Sequence, residues 1–589
     1  MLLPLVASCS PSTGDTSAAS TLPSPTYRLL SPSDHLTRAS MAIRGTRPSL
    51  AELETARDHP EQIPLLIDTF LEDPRFGETI KDWAAEQFLL RTDVLDALPA
   101  IGPLRGHSLS EMYEATSESP LRLVEEVVMD DHPLTTLVTA DWVWTNEAHH
   151  KIYGLAYNPE GPTWQRSTWT DGRPVAGLLS DSEMWRRYES AGSNFHRLRA
   201  NVVAATMLCE DFNTRDIDGA TGVDISNEFE VANAVRTNPA CVNCHQGLDP
   251  LAAFFWGFKK QVKRFTIVKG YNEDCRNYNL SGESPVDTYT PGQYCYPLEH
   301  YTVSDETQWA HWDLRGPGYY GTPLDHIGDL GDYIQDDPRF GQCMARSLYA
   351  YMTQTARDAV APELVSELYG VLKANGMQTK PMVRHIALSD SFRAISRRDA
   401  RLPAAAGLQT VRPEQLARTL EDLTGFRWLA SPDPDNCVSE RVDGEGTRCW
   451  NEVDLATSDR FGFRAMSGGV NGYYITAPTH TMTPPKELVM ERYAFEAATY
   501  VTRHELELAD RDPRLFDSFD ADQTDADSVR SHLSKLHQQV LGEWVRPDGP
   551  EVDATYALWH SRFARDRDPI AAWTLTLAAL FQDPRMSFY

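Results

Sequence analysis

Apolar residues recur at the spacing of an α-helix along most of the chain. In "EQIPLLIDTFLEDPRF", the apolar residues Ile63, Leu66, Ile67 and Phe70 stand at positions i, i+3, i+4 and i+7, which lie on one face of a helix. The same periodicity predicts helices over five more segments: 197–209, 341–354, 362–376, 491–509 and 571–584. Several of these are almost continuously apolar, which is typical of helices packed between others. The pattern predicts a mostly α protein built from multi-helix domains.

Strand patterns are few and short. "FTIV" (265–268) is rich in residues that favour strands, and "GGVNGYYIT" (468–476) is a second candidate. The sequence therefore predicts only a few short strands.

The phrase Asp-Pro-Arg recurs after three helical patterns, at 71–77, 335–341 and 581–587. Proline cannot continue a helix and pushes the preceding residue out of the helical region, so each phrase predicts a helix end. The apolar residue that follows the arginine is predicted to pack back into the core. The recurrence also suggests related helical units.

The chain divides into four predicted regions. Residues 1–35 are a signal and a Ser/Pro-rich tether, and 36–235 form a helical N-terminal region. Residues 236–400 form a third region, a module with its packing helices around the cysteine motif described below. A Pro/Ala/Gly segment at 397–410 separates them from a C-terminal helical domain, 401–589, whose first helix starts near Pro413 and ends near Gly425.

Composition places the chain among globular proteins and gives it a strongly acidic surface. Of 589 residues, 41% are hydrophobic, and 84 acidic against 55 basic side chains give a formal net charge of -29. Such a surface repels phosphate backbones and anionic lipid headgroups, so no nucleic-acid partner is predicted. It suits docking of a small basic partner, although in most proteins an acidic surface only aids solubility.

The N-terminus indicates export. "MLLPLVASC" resembles the lipobox of bacterial lipoproteins, in which the matching residue, here Cys9, becomes the lipidated first residue. It lacks a basic leading segment, and its apolar run is short, so an unstructured terminus is the alternative. The Ser/Thr/Pro-rich stretch that follows reads as a tether. We expect a periplasmic or outer-membrane-anchored lipoprotein.

Cysteine content agrees with an oxidising compartment. The chain has nine cysteines, of which one is assigned to lipid and two to the motif at 241–244. Six remain, and outside the cytoplasm six can form three disulfides. Two predicted pairs close local loops and the third follows by elimination: Cys275–Cys295, Cys437–Cys449 and Cys209–Cys343.

The segment "NPACVNCHQGLDPLAAFFWGF" (238–258) carries the clearest chemistry. Two thiols at the spacing of Cys241 and Cys244 can form thioethers with both vinyl groups of a haem, and His245 is then its proximal iron ligand. Backbone carbonyls of a turn near Pro250 are predicted to hold the imidazole Nδ1–H. The apolar residues at 248–256 are predicted to pack against the porphyrin. One covalent haem c per chain is the cofactor expected.

Three alternatives remain for the motif. A redox dithiol usually lies in a βαβ unit, and none surrounds residue 241. A structural zinc site needs a second pair of ligands at short spacing, but Cys275 stands alone. A disulfide between Cys241 and Cys244 would close a strained, very small loop.

The order of these motifs resembles the cytochrome-c-like domain families of unknown function from secreted planctomycete and myxobacterial proteins. Those families combine Cys-x-x-Cys-His and a following Leu-Asp-Pro (here 248–250) with an upstream Leu-Cys (208–209) and a downstream Phe-x-x-Cys (340–343). The resemblance covers most of residues 50–400 and, more loosely, the C-terminal third of the chain. It departs at Ala252, where the family often has glycine. It implies a haem-binding module and leaves the reaction open.

The second axial ligand is less clearly indicated. Met352 and Met344 are the first candidates and His326 the next, because low-spin carriers commonly use Met or His. The main hypothesis is electron transfer by one covalently bound haem. The alternatives are a haem-dependent oxidoreductase with an open sixth position and a non-haem, disulfide-stapled surface scaffold. Whether the protein is an enzyme is not decided by the sequence.

Overall fold

The computed structural model describes most of the chain after the predicted tether. The described residues are 27–92, 98, 102–104, 106–190, 194–215, 222–224, 226–260, 296–398, 402, 404–430, 439–442, 446–449, 453–456, 458–459, 461–508 and 513–589. Helices account for 59% of the structure and strands for 5%, so the predicted mostly α class is confirmed.

The helices of the described residues are numbered in chain order. They are α1 Pro32–Ile43, α2 Leu50–Asp58, α3 Ile63–Leu71, α4 Pro74–Phe88, α5 Leu109–Met129, α6 Glu147–Tyr153, α7 Ser182–Arg186, α8 Arg197–Met207, α9 Glu228–Thr237, α10 Pro239–Ala253, α11 Ile327–Asp336, α12 Pro338–Thr353, α13 Pro362–Ala374, α14 Thr379–Leu388, α15 Pro413–Thr424, α16 Phe463–Met466, α17 Pro484–Thr502, α18 Ala526–Leu536, α19 Pro550–Asp566, α20 Pro569–Phe581 and α21 Pro584–Ser587.

The strands pair in twos, each pair antiparallel. The pairs are β1 Tyr27–Leu29 with β6 Ala394–Arg397, β2 Val143–Thr145 with β3 Gln165–Ser167, β4 Gly318–Tyr319 with β5 Thr322–Pro323, β7 Leu429–Ala430 with β10 Val453–Asp454, and β8 Ser439–Val442 with β9 Gly446–Cys449. The candidate strand at 265–268 lies outside the described residues.

The predicted strand at 468–476 is wrong. The segment is a loop in which the Asn471 side chain accepts hydrogen bonds from the backbone of residues 473, 474 and 475. Gly468 and Gly472 have positive φ angles, of 90° and 69°. The segment therefore forms a turn and not a strand, because the amide side chain binds nearby backbone N–H groups and both glycines adopt left-handed conformations.

Two large hydrophobic cores organise the described chain. The first contains buried residues from Leu36 to Phe392, so segments 36–235 and 236–400 share it. The second lies within 411–586 and also takes Met41 from α1. Arg38 of the same helix is buried, with 1% of its surface exposed, and donates hydrogen bonds to the carbonyls of Phe392 and Ala394. Helix α1 therefore links the two cores.

The Asp-Pro-Arg phrases end one helix and start the next. The helices before them end as predicted, and the residues after them, Phe76, Phe340 and Met586, are buried. The aspartate also caps the following helix, because its side chain accepts the N–H of the arginine two residues on, at 2.8–2.9 Å. Proline then occupies the first helical turn, where its missing N–H costs nothing.

A disulfide ties the end of α8 to α12. Cys209 and Cys343 are bonded, with their Cα atoms 5.2 Å apart, which confirms the pair predicted by elimination. The other two predicted pairs include residues outside the described part of the chain. The bond fixes α8, which carries part of the candidate site described below, to the first core.

Replacement of Asp337 by Ala should destabilise the protein by about 1–2 kcal/mol, because the start of α12 loses its cap. The measurement is the midpoint of urea unfolding followed by circular dichroism. Asp336→Ala is the matched control, since this neighbour is exposed and does not cap α12. Equal midpoints for the two variants would contradict the capping role.

Candidate functional site

Helix α10 carries the cysteine motif. Asn238 caps its start by accepting the backbone N–H of Ala240, and Pro239 occupies the first turn. Cys241 and Cys244 are both free thiols and half-buried. Residues three and four apart lie on one face of a helix, so Cys241, Cys244 and His245 face the same side.

His245 is oriented by a carboxylate one helical turn further on. Its Nδ1 lies 2.9 Å from Oδ1 of Asp249, and because an ionised carboxylate can only accept, Nδ1 carries the proton. This tautomer leaves the Nε2 lone pair available to a metal. The side chain of His245 is 22% exposed, so it is accessible to a ligand.

Asp249 is itself held by charge. Arg197, at the start of α8, donates from Nε to Asp249 Oδ1 at 2.7 Å. Burial raises the pKa of Asp249, but the hydrogen bonds from His245 and Arg197 outweigh it, so its pKa is lowered overall. The carboxylate is therefore ionised and fixed between an imidazole and a guanidinium.

The turn predicted near Pro250 is not present. Pro250 lies inside α10, which continues to Ala253, so the partner of the His245 Nδ1 is the Asp249 side chain and not a backbone carbonyl. Leu251 and Ala252 are buried, and this burial outweighs the single hydrogen bond that a proline removes. Pro250 packs instead against β4, where a Cβ on Gly318 would lie 3.4 Å from its Cβ.

The apolar residues after the motif face the protein interior. Leu251, Phe254 and Phe255 belong to the first core, and the ring of Phe255 lies 4.5 Å from that of Trp185. They do not line the cavity beside the motif, so the predicted apolar wall against a porphyrin is not formed by them.

A cavity of about 950 Å³ lies beside α10. One wall is the apolar face of α9, with Phe229, Val231, Ala232 and Val235, and the others come from residues 195–197, 312–315, Asp249 and Lys260. Its volume is at the upper end of the range for small-molecule and cofactor sites. Asp249 both lines the cavity and accepts a hydrogen bond from the His245 imidazole, so it connects the two.

Large apolar side chains lie exposed around this cavity. Phe229 is 88% exposed and Trp312 57% exposed, although both line it. Exposed aromatic residues at the rim of a concave site are typical of a ligand or partner surface. The cavity is therefore a candidate for a flat apolar ligand.

The cavity is cationic in a protein that is acidic overall. Four basic side chains, Arg197, Arg236, Lys260 and Arg315, line it with two acidic ones, Asp249 and Asp313. The local excess of positive charge opposes the formal net charge of -29. A ligand that carries negative charge is favoured here.

The structure does not bring the proposed second axial ligands to this site. Met344 and Met352 are 1% and 3% exposed in α12 and belong to the first core. His326 caps α11 by accepting the N–H of Asp329. No methionine or histidine is among the described residues that line the cavity.

Several functional residues were not found from the sequence. Asp249 could have been, since the i, i+4 spacing from His245 predicts contact once the motif is placed on a helix. Arg197, Lys260 and Arg315 are distant along the chain, and no local pattern connects them. The predicted lipidation site, Cys9, lies outside the described residues. None of the described helices combines the length and apolarity needed to cross a membrane.

Comparisons with protein-family models, curated proteins and solved structures found no match to this chain. The site is therefore interpreted from its own geometry.

Replacement of Asp249 by Asn should destabilise the protein at pH 7 by about 1–3 kcal/mol, because a buried charged acceptor of two hydrogen bonds is lost. The folded-state pKa of Asp249 is lowered, so its contribution is complete above the unfolded pKa of about 4 and disappears as the pH falls through the folded value. Unfolding midpoints of the two proteins should therefore converge once the pH falls below the folded-state pKa of Asp249.

Asp313→Asn provides the control for this experiment. Asp313 is 87% exposed and pairs with Arg236, so its loss should cost less than about 1 kcal/mol. If Asp249→Asn were as stable as the wild type at pH 7, the ionised Asp249 would have no anchoring role.

Proposed function

We propose that this chain is an exported c-type cytochrome-like protein that binds one haem covalently and acts in electron transfer. Cys241 and Cys244 would form the thioethers and His245 would bind the iron. The observation that carries the proposal is the imidazole of His245 fixed through Nδ1 to Asp249, beside two free thiols on the same helix face. A histidine oriented in this way is typical of a metal ligand.

The alternatives for the motif have less support. Cys241 and Cys244 are not bonded to each other. Among the described residues, the one group of three potential metal ligands is Glu126, Asp130 and His132, which contains neither thiol. Glu126 already accepts hydrogen bonds from Trp142 and Trp144, so it is satisfied without an ion. A zinc site at the motif therefore lacks further ligands in the described chain.

The cavity fits the proposed cofactor in size, polarity and charge. Cys241, Cys244 and His245 are not among the described residues that line it, and Asp249, which does line it, connects it to the motif through its hydrogen bond with His245. A porphyrin is flat and apolar with two carboxylates at one edge, and the cavity offers an apolar α9 wall, exposed aromatics and four cations. When bound, haem supplies a reversible one-electron centre. The chain would hold the imidazole tautomer through Asp249 and Arg197, and the apolar wall would offer contact surface to the porphyrin.

Two further features support export and electron exchange. A Cys209–Cys343 disulfide is expected in an oxidising compartment, which agrees with the proposed periplasmic or outer-membrane location and with lipidation at Cys9. The net charge of -29 would steer a basic redox partner toward the protein.

A second function, that of a haem-dependent oxidoreductase, is favoured by one observation. His245 reaches the cavity only through Asp249, the described lining itself includes no methionine or histidine, and the undescribed segment 261–295 has neither residue in its sequence. An iron without a second protein ligand can bind exogenous ligands. Carbon monoxide binding to the reduced protein separates the two functions, since a six-coordinate carrier binds it slowly or not at all.

The proposal predicts that the full chain, expressed with a cytochrome c maturation system, gains the mass of one haem and a haem c pyridine haemochrome spectrum. Cys241→Ser/Cys244→Ser should abolish the covalent mass increase, because both attachment atoms are lost. His245→Ala should keep the thioethers and change the oxidised spectrum.

The control is Cys209→Ser/Cys343→Ser, which also removes two cysteines but should retain the covalent mass increase, because it leaves both attachment thiols in place even though α8 loses its anchor to α12. A wild-type chain of unmodified mass, apart from lipid, after such expression would refute the proposed function. The non-haem, disulfide-stapled scaffold would then be the better interpretation.

Met344→Ala and Met352→Ala should each destabilise the protein by about 2–5 kcal/mol, because a buried side chain leaves a cavity in the core. Neither should alter the visible spectrum of the oxidised haem protein. The spectrum and the urea midpoint are both measured. A changed spectrum in one variant would indicate that the replaced methionine is an axial ligand after all.

A further inference from the structure

One cation of the cavity, Lys260, has no carboxylate partner among the described residues. Nζ of Lys260 lies 5.2 Å from the ring of Trp256, 5.3 Å from that of Phe195 and 5.9 Å from that of Trp312. No hydrogen bond or ion pair of this ammonium group is formed with any described residue. The aromatic faces stabilise the charge in part and leave its hydrogen-bond donors unused.

Arg315 is a second cation with unused donors. Its Nη1 is buried and has no hydrogen-bond partner in the described part of the chain. It forms only a long ion pair with Oδ2 of Asp249, at 3.9 Å, beyond hydrogen-bond distance. Asp249 is already occupied by His245 and Arg197, so little of its charge remains for Arg315. A buried guanidinium N–H without an acceptor is costly and invites a ligand.

The other two cations of the cavity are already paired. Arg197 donates to Asp249, and Arg236 to Asp313. The cavity therefore separates into two satisfied ion pairs and two cations with free donors, Lys260 and Arg315, next to an apolar wall.

We infer that the cavity binds a flat, apolar dicarboxylate whose two carboxylates pair with Lys260 and Arg315. The inference rests on the proposed function, because the haem that it assigns to this cavity carries two propionates. It goes further by assigning ligand recognition to two residues outside the motif. It also predicts that recognition needs neither iron nor thioether bonds.

The charge balance supports this assignment. A dianion approaching a protein of net charge -29 is repelled unless local cations compensate. Two cations with unused donors match two carboxylates, and the rings of Phe195 and Trp312, which line the cavity near Lys260, provide stacking surface for a planar ligand.

The test uses the full chain purified without haem from a host that lacks cytochrome c maturation. Protoporphyrin IX, which has no iron for His245 to bind, is titrated and its fluorescence followed. Its dimethyl ester, in which both carboxylates are blocked, should bind at least about tenfold more weakly. Lys260→Met and Arg315→Met should each weaken protoporphyrin binding about tenfold, as expected for loss of one charge-assisted pair.

Lys259→Met is the matched control, because its Nζ pairs with Asp305 at 2.9 Å and it does not line the cavity. It should bind protoporphyrin like the wild type. Equal binding of the acid and the ester to the wild-type chain would overturn the inference even if a variant failed to fold. So would equal binding by the Lys259, Lys260 and Arg315 variants.

The two proposals fail separately. If the matured chain carries no haem but the dicarboxylate binds through Lys260 and Arg315, the cavity inference stands and the proposed function falls. If haem is attached but protoporphyrin binds without regard to its carboxylates, the proposed function stands and the cavity inference falls.

Discussion

The hydrogen bond between His245 Nδ1 and Asp249 is the interaction on which the site depends. It exists because α10 continues without interruption from Pro239 to Ala253, which places residues 245 and 249 one turn apart. Arg197 anchors the carboxylate from α8, and the Cys209–Cys343 disulfide anchors α8 to α12. The orientation of the His245 imidazole is therefore set by the packing of three helices. A change that loosens α8 would disturb the motif although no residue of the motif is altered.

Charge is distributed so that the cavity differs from the rest of the surface. Acidic residues dominate the chain, yet the cavity beside α10 has more basic than acidic side chains. Such an arrangement costs stability through unpaired or crowded cations, and it is retained most readily where a ligand supplies the missing negative charge. The acidic exterior and the basic cavity would then have separate roles, one toward a partner protein and one toward a bound anion.

Local patterns of the sequence predicted much of the fold and part of the site. The 3.6-residue periodicity located α3, α8, α12, α13 and α20, and counting cysteines paired Cys209 with Cys343. The prediction failed where tertiary contacts override local preference. Burial of Leu251 and Ala252 carries α10 through Pro250, and the Asn471 side chain turns a strand-like segment into a loop. The cavity combines residues from 195 to 315, and no local pattern could join them.

The position of the cavity bears on which of the two proposed functions, carrier or oxidoreductase, a bound haem would allow. Phe229 and Trp312 are exposed at its rim, so a porphyrin seated there would have an edge near solvent, as electron exchange with a docked protein requires. The same openness admits small molecules, and the described lining offers no second protein ligand to exclude them. An electron carrier and an enzyme built on this chain would therefore share one fold. They would differ only in whether a protein ligand occupies the sixth coordination position of the iron. Because Met344 and Met352 are held in the first core, filling that position from α12 would require the core to rearrange, which close packing opposes.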